Sequence, residues 1–110
     1  MDYESIWQEA KNLAQQAAVE CNEVLGTESQ RGFDCGFAWI HCNNGRSPFA
    51  RFLKSIGGHK GYPKGVDLWY SHVHSVPTQS IGVHIAACNA AVAYLQAQGI
   101  EGLSVGTRFD

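Results

Sequence analysis

Charged side chains are scarce in this sequence, and several patterns that mark particular classes of protein are absent. Only 16% of its 110 residues are charged, whereas 45% are hydrophobic, which is the opposite of the balance found in disordered chains. No apolar run approaches the roughly 20 residues that a membrane-spanning helix needs, and the first residues lack the charged and apolar regions of a secretory signal peptide. We therefore expect a single globular domain over residues 1–110 that works in the cytoplasm without contact with a membrane.

The four cysteines and five histidines do not follow the spacing of a metal site or a disulfide framework. There is no Cys-x-x-Cys pair and no His-Glu-x-x-His pattern, and thiols stay reduced in the cytoplasm. Cys88 follows His84 by four residues in an alanine-rich predicted helix, and we interpret it as a core residue. The sequence predicts no cofactor, no catalytic residue and no metal. The fallback metal set is Asp67 with His72 and His74, two histidines that would share one face of a strand.

Positive charge is concentrated in the middle of the chain. The net charge of -2 does not fit a protein that binds nucleic acid polymers through a basic surface. Five of the eight lysines and arginines nevertheless lie close together, at Arg46, Arg51, Lys54, Lys60 and Lys64. This local excess is typical of a solvated helix face and loop, and the alternatives are a site for a small anionic ligand and a contact with an acidic protein.

The hydrophobic periodicity predicts three helices that alternate with three strands. The helices are predicted over 3–25, from Ser47-Pro48 to Gly57-Gly58, and over 80–98; the strands are predicted over 32–42, 66–71 and 103–109. Because a helix separates each strand from the next, at least one pair of strands should be parallel. The expected fold class is α/β (or α+β), with a small three-stranded mixed sheet and the order α-β-α-β-α-β. The free edges of such a sheet favour a homo-oligomer.

The first predicted strand has one bulky face and one bare face. Phe37 and Trp39 alternate with Gly36 and Ala38, and successive side chains of a strand point to opposite faces. A bare face usually has a closely packed neighbour, and we expect that neighbour to be a helix.

Two glycine-containing loops carry most of the candidate ligand-binding residues. Asn44-Gly45-Arg46 comes just before a predicted helix N-terminus, where backbone N–H groups and the helix dipole favour an anion. The loop over 57–65 adds two lysines and a tyrosine, and Arg108 lies near the end of the last strand. Aromatic side chains to stack on a base and cations to meet phosphates would suit a nucleotide. The predicted ligand-binding set is Trp39, Asn44, Arg46, Lys60, Tyr62, Lys64, Trp69, Gln79 and Arg108.

Four segments resemble a pattern found in small proteins of tailed bacteriophages. They are Cys35-Gly36-Phe37-Ala38-Trp39-Ile40, Asp67-Leu68-Trp69, Pro77-Thr78-Gln79-Ser80 and Val105-Gly106-Thr107-Arg108-Phe109-Asp110. The resemblance covers about residues 30–110 and departs at Tyr70-Ser71-His72, where Asn-Pro is usual. It implies a phage source and no particular activity. It adds weight to the motif residues as a candidate site, namely Gly36, Trp39, Asp67, Trp69, Gln79, Arg108 and Asp110.

By analogy with other small phage proteins, the resemblance implies a role in binding. The leading expectation is a homo-oligomeric, non-enzymatic protein that sequesters a small anionic ligand in the host cytoplasm, above all a nucleotide, linear or cyclic, that signals in host defence. Two alternatives stay open. One is an inhibitor that docks on a host protein through exposed apolar surface. The other is a small metal-dependent hydrolase that uses His72, His74 and Asp67.

Overall fold

The computed structural model describes residues 1–27 and 35–109, which contain three α-helices and four strands in the order α-β-α-β-β-α-β. The helices are α1 (Tyr3–Thr27), α2 (Pro48–Ser55) and α3 (Ile81–Ala97). The strands are β1 (Gly36–Cys42), β2 (His59–Lys60), β3 (Val66–Trp69) and β4 (Leu103–Phe109). The predicted start of the first strand, at 32–34, lies outside the described residues. Within the described ranges, no helix is long and apolar enough to cross a membrane.

The four strands form one sheet in the order β2-β3-β1-β4. Each pair of described neighbours is antiparallel. The helix-plus-sheet class predicted from the sequence is confirmed, but the sheet has a fourth, two-residue strand, and the expected parallel neighbours are wrong. The reason lies in the connection through α2. It joins β1 to β2, which run in the same direction, but β3 lies between them.

This strand order, with these directions, is that of the split β-α-β arrangement of ferredoxin-like folds, here preceded by α1. That topology supports many unrelated functions, so it positions a site without identifying one.

The bare face of β1 lies against α3, as expected. A Cβ atom added to Gly36 would lie 2.7 Å from Ile81 Cδ1 and 2.8 Å from the Arg108 backbone carbonyl oxygen, so a larger residue here would force the backbone of β4 or the side chain of Ile81 to move. Ala38 is fully buried on the same face. Buried alanines of α1 and α3 then let the two helices pack closely on each other. They are Ala10, Ala14 and Ala18 on α1 and Ala87 and Ala91 on α3.

The ends of α2 follow directly from its sequence. Ser47 caps the N-terminus, its Oγ accepting from the Ala50 backbone N–H at 3.1 Å, and Pro48 occupies the first turn, where no intrahelical donor is needed. At the other end Gly57 adopts φ = 119°, and the Gly58 N–H bonds back to the Leu53 carbonyl at 2.7 Å. The predicted boundaries are confirmed.

The segment after β3 differs from the prediction. The strand ends at Trp69, and Tyr70–His72 forms a turn of 3-10 helix, in which the N–H groups of Val73 and His74 both bond to the Tyr70 carbonyl. His72 and His74 therefore do not share a strand face.

Candidate functional site

The sheet face opposite the helices carries large aromatic side chains on its two central strands. Trp39 on β1 is directly paired with Trp69 on β3, and directly paired residues point to the same face. Their ring centroids are 5.3 Å apart, and Phe37 meets Trp69 edge-on at 5.4 Å. We call Phe37, Trp39 and Trp69 the aromatic shelf.

The Trp39 indole packs directly on Gly106 of β4. The two residues are paired across the sheet, and a Cβ added to Gly106 would lie 2.3 Å from Trp39 Cε2 and Nε1. The indole therefore occupies the space that any larger side chain on β4 would take. As a result, the aromatic shelf extends over three strands.

A single arginine lies at one end of the aromatic shelf. Arg108 on β4 pairs with Phe37, and its Cζ atom is 5.5 Å from the centre of the Phe37 ring, a cation–π distance. Arg108 is exposed, and within residues 1–27 and 35–109 no carboxylate forms a salt bridge with it. Its guanidinium group is therefore accessible to solvent at this end of the aromatic shelf.

Beyond the other end of the aromatic shelf, three strands contribute a row of polar side chains. His41 on β1 pairs with Asp67 on β3, which in turn pairs with His59 on β2. The His41 Nδ1–H donates to Asp67 Oδ1 at 2.5 Å, and Trp69 Nε1–H donates to His59 Nε2 at 2.9 Å. These bonds orient both imidazoles relative to the shelf. We call His41, Asp67 and His59 the polar row.

Two cations from different loops meet at the end of the sheet. A cleft of about 340 Å³ is lined by Asn43, Asn44, Gly45, Arg46, Lys64 and Gly65. Gly65 has φ = 90°, and a Cβ there would lie 2.1 Å from the Cys42 carbonyl oxygen, so glycine is what lets the β2–β3 hairpin approach the loop after β1. We call this site the basic cleft.

The nine predicted ligand residues thus fall into separate places. Trp39, Trp69 and Arg108 lie together on the open sheet face, and Asn44, Arg46 and Lys64 line the basic cleft. Lys60 and Tyr62 are exposed in the β2–β3 hairpin, Tyr62 at 92%. Gln79 lies at the opposite end of β1 from the cleft, where its carbonyl accepts from the Gly36 N–H at 3.2 Å. The set does not form one pocket.

The fallback metal site is wrong. Asp67 bonds to His41 on the open face, His74 is buried near α3, and the exposed His72 lies against Gly57. Nowhere in the described ranges do three His, Cys, Asp or Glu side chains come together as a possible metal site. Strand spacing had suggested that the two histidines converge, but the 3-10 turn separates them.

His74 and His84 instead form a buried pair below the sheet. The Val76 N–H donates to His74 Nδ1 at 3.1 Å, so a neutral His74 carries its proton on Nε2 and donates it to His84 Nδ1 at 2.8 Å. Burial, together with the nearby His74, lowers the pKa of His84 to about 4, and burial also lowers the pKa of His74. The pair is therefore neutral at physiological pH.

Cys88 is a core residue, as predicted. It is fully buried in α3, and this burial raises the pKa of its thiol to about 12. Such a thiol is a poor nucleophile because the thiolate form is not populated.

A cavity of about 640 Å³ lies away from the aromatic shelf and the basic cleft, between α1, α2 and residues 71–75, and His74 is one of its lining residues. Its polar lining is partly committed to internal bonds, since Gln15 Oε1 accepts from both the N–H and the hydroxyl of Ser75. Trp7 in its wall is only 6% exposed and offers no ring face for stacking. We therefore regard the open sheet face as the better candidate site.

Comparisons with known proteins do not assign a family or a function. No protein-family model matches the sequence, and comparison with curated proteins and with solved structures finds no similar protein.

Proposed function

We propose that the protein binds a small anionic ligand with a planar ring, above all a nucleotide, on the aromatic shelf, and acts by sequestering it. The observation that carries this proposal is the aromatic shelf itself. Three large rings lie on the face that the described helices leave open, with Phe37 and Trp39 each in contact with Trp69, and Arg108 lies beside Phe37.

The aromatic shelf is better suited to stacking on a nucleotide base than to stabilising the fold. An aromatic ring that stacks on a base contributes about 1–3 kcal/mol to binding, and this requires an open ring face. Trp39 lies on Gly106, which adds no side chain of its own. Trp39 is half-buried, so part of its indole remains accessible to a base.

The charges near the shelf suit a phosphate. Arg108 can donate two parallel hydrogen bonds to phosphate oxygens, a geometry that favours arginine at such sites. On the other side of the shelf, the two histidines of the polar row supply further hydrogen-bonding groups, with His41 held in place by Asp67 and His59 by Trp69.

A homo-oligomer forms part of the proposal. In the described part of the chain, β4 has seven residues and pairs with β1 along one edge only. Pairing of two copies through β4 would continue the sheet and cover this edge. Native mass spectrometry tests the point: a dimer or a larger multimer is expected, and a monomer at micromolar concentration would contradict it.

The binding proposal is tested by fluorescence titration in a Trp7→Phe background. This leaves Trp39 and Trp69 as the reporters, because the sequence has three tryptophans. We expect nucleotides to quench the emission of the shelf. The Arg108→Gln variant should bind more weakly, whereas Lys54→Gln on α2, which removes an exposed cation far from the shelf, should not. Absence of quenching by any nucleotide at millimolar concentration would refute the proposal.

An inhibitor of a host protein is the second candidate, and the same surface favours it. Tryptophan and arginine side chains are the residues most often central to protein interfaces. If pull-down from a host lysate recovers one stoichiometric partner that Trp69→Ala loses, and nucleotides do not quench the shelf, the second candidate replaces the first.

A further inference from the structure

We infer that the basic cleft is a second anion subsite of the face that carries the aromatic shelf, so that the ligand is a dinucleotide with two phosphate groups. This inference rests on the proposed function and names the class of ligand more closely. It concerns Arg46 and Lys64, which the proposal for the shelf does not need.

The groups follow one another along β1 in a fixed order. Phe37 with Arg108 comes first, then Trp39 with Trp69, then His41 with Asp67. Asn43, which lines the basic cleft, is two residues beyond His41. At about 3.3 Å per residue, the path from Phe37 to Asn43 measures roughly 20 Å. Positive charge lies at both ends, and the stacking surface lies between them.

The basic cleft adjoins the open face through the β2–β3 hairpin. A Cβ added to Gly61 would lie 3.0 Å from Asp67 Oδ1 and 3.1 Å from both His41 Cε1 and the Lys64 carbonyl oxygen. The hairpin that carries Lys64 therefore packs directly against the polar row. A Cβ at Gly45, beside Arg46, would in turn contact Gly65 at 3.4 Å. The β2–β3 hairpin therefore links the basic cleft to the polar row at the edge of the open face.

The two cations of the cleft lack acidic partners in the structure. Arg46 and Lys64 come from different loops, and within residues 1–27 and 35–109 neither forms a salt bridge. Two like charges that line one cleft repel each other, and a bound phosphate would offset that repulsion. The Asn44 Oδ1 already accepts from the Arg46 N–H at 3.0 Å, so its amide NH₂ group remains to donate to a phosphate oxygen.

The distance between the two cationic ends of the open face favours a ligand with two phosphate groups. A base stacked on the aromatic shelf can direct one phosphate toward Arg108 or toward the basic cleft. A mononucleotide has phosphate on one side of its base only and therefore meets one end. A dinucleotide with two phosphates can meet both ends.

The test compares three adenine ligands by quenching of the shelf in the Trp7→Phe background: AMP, the dinucleotide ApA with one internal phosphate, and pApA with an additional 5′-phosphate. We expect pApA to bind at least tenfold more tightly than ApA. The gain should disappear in the double variant Arg46→Gln/Lys64→Gln. It should persist in Lys11→Gln/Lys54→Gln, which removes the same charge from α1 and α2.

The outcomes separate the inference from the proposed function. If ApA and pApA bind equally and the cleft double variant behaves like its control, the second subsite is wrong although the shelf still binds. If no ligand quenches the shelf, the proposed function itself fails. If affinity rises by a similar factor for each nucleotide added up to a pentanucleotide, the surface binds a strand and the dinucleotide class is overturned.

Discussion

The two faces of the sheet are built in opposite ways. On the covered face, β1 presents Gly36 and Ala38, and the helix α3 packs against them. On the open face, the same strand presents Phe37 and Trp39. Large aromatic side chains contribute most to stability when they are buried, yet here they lie on the side that no described helix covers. The covered face forms the core of the fold, and this difference underlies our proposal that the open face serves binding.

The largest loss of stability should come from a substitution on the covered face. Leu68 and Trp69 are neighbours on β3, but Leu68 is fully buried and Trp69 belongs to the aromatic shelf. We expect Leu68→Ala to lower the free energy of unfolding by about 2–5 kcal/mol because it leaves a cavity. Trp69→Ala, although it removes more atoms, should cost less. Urea unfolding measures both changes, and an equal or larger loss for Trp69→Ala would show that the shelf is structural.

The second-largest effect on stability should come from low pH, through the buried His84 on the covered face. The pKa of His84 is about 4 in the folded state and about 6.5 in an unfolded chain. Below pH 6.5 the unfolded state therefore binds more protons, so stability falls as the pH is lowered from 6.5 toward 4, by about 3 kcal/mol for this group. In urea unfolding, His84→Phe should flatten this dependence, whereas His72→Gln, at an exposed position, should not. An unchanged slope in His84→Phe would contradict the assignment.

A substitution at Gly106 should affect the open face and largely spare the fold. Gly106→Ala places a methyl group where the Trp39 indole now lies. Because Trp39 is only half-buried and its indole can shift toward solvent, we expect a stability loss below about 1–2 kcal/mol, a shifted tryptophan emission and weaker nucleotide binding. Tight nucleotide binding together with an unshifted emission would show that the position of the Trp39 indole does not depend on Gly106.

The smallest effect on stability should come from Arg108. Arg108→Gln removes an exposed cation and its contact with Phe37, so the free energy of unfolding should change by less than about 0.5–1 kcal/mol. Nucleotide affinity should nevertheless fall about fivefold to tenfold, in line with the loss of one charge-assisted contact. Isothermal titration calorimetry checks this, and affinity equal to that of Lys54→Gln would remove Arg108 from the site.

Local sequence signals predicted the elements well. The Ser-Pro start and Gly-Gly end of α2 act through their own backbone bonds, and the alternation in β1 determines which side chains share a face. Such features depend on residues a few positions apart. The aromatic Phe37 and Trp39 were therefore placed on one face, and the helix on the bare face was expected, before any strand pairing was known.

Long-range pairing was not predictable in the same way. His41 and Asp67 are 26 residues apart, and their contact depends on the register between β1 and β3. No local pattern in the sequence predicts this contact or the bond from Trp69 Nε1–H to His59 Nε2. The parallel pair was wrong because β3 occupies the position beside β1, and a two-residue strand such as β2 carries too little periodicity to be recognised.

The comparison of the two faces can be tested directly by NMR. In ¹H–¹⁵N spectra recorded during titration with pApA, we predict shifts at the backbone of Phe37, Trp39, Trp69 and Arg108 and at the indole N–H groups of both shelf tryptophans. The amides of α1 should stay unchanged. Shifts confined to α1 and residues 71–75 would place the ligand in the other cavity, and no shifts at all would contradict a binding role for the open face.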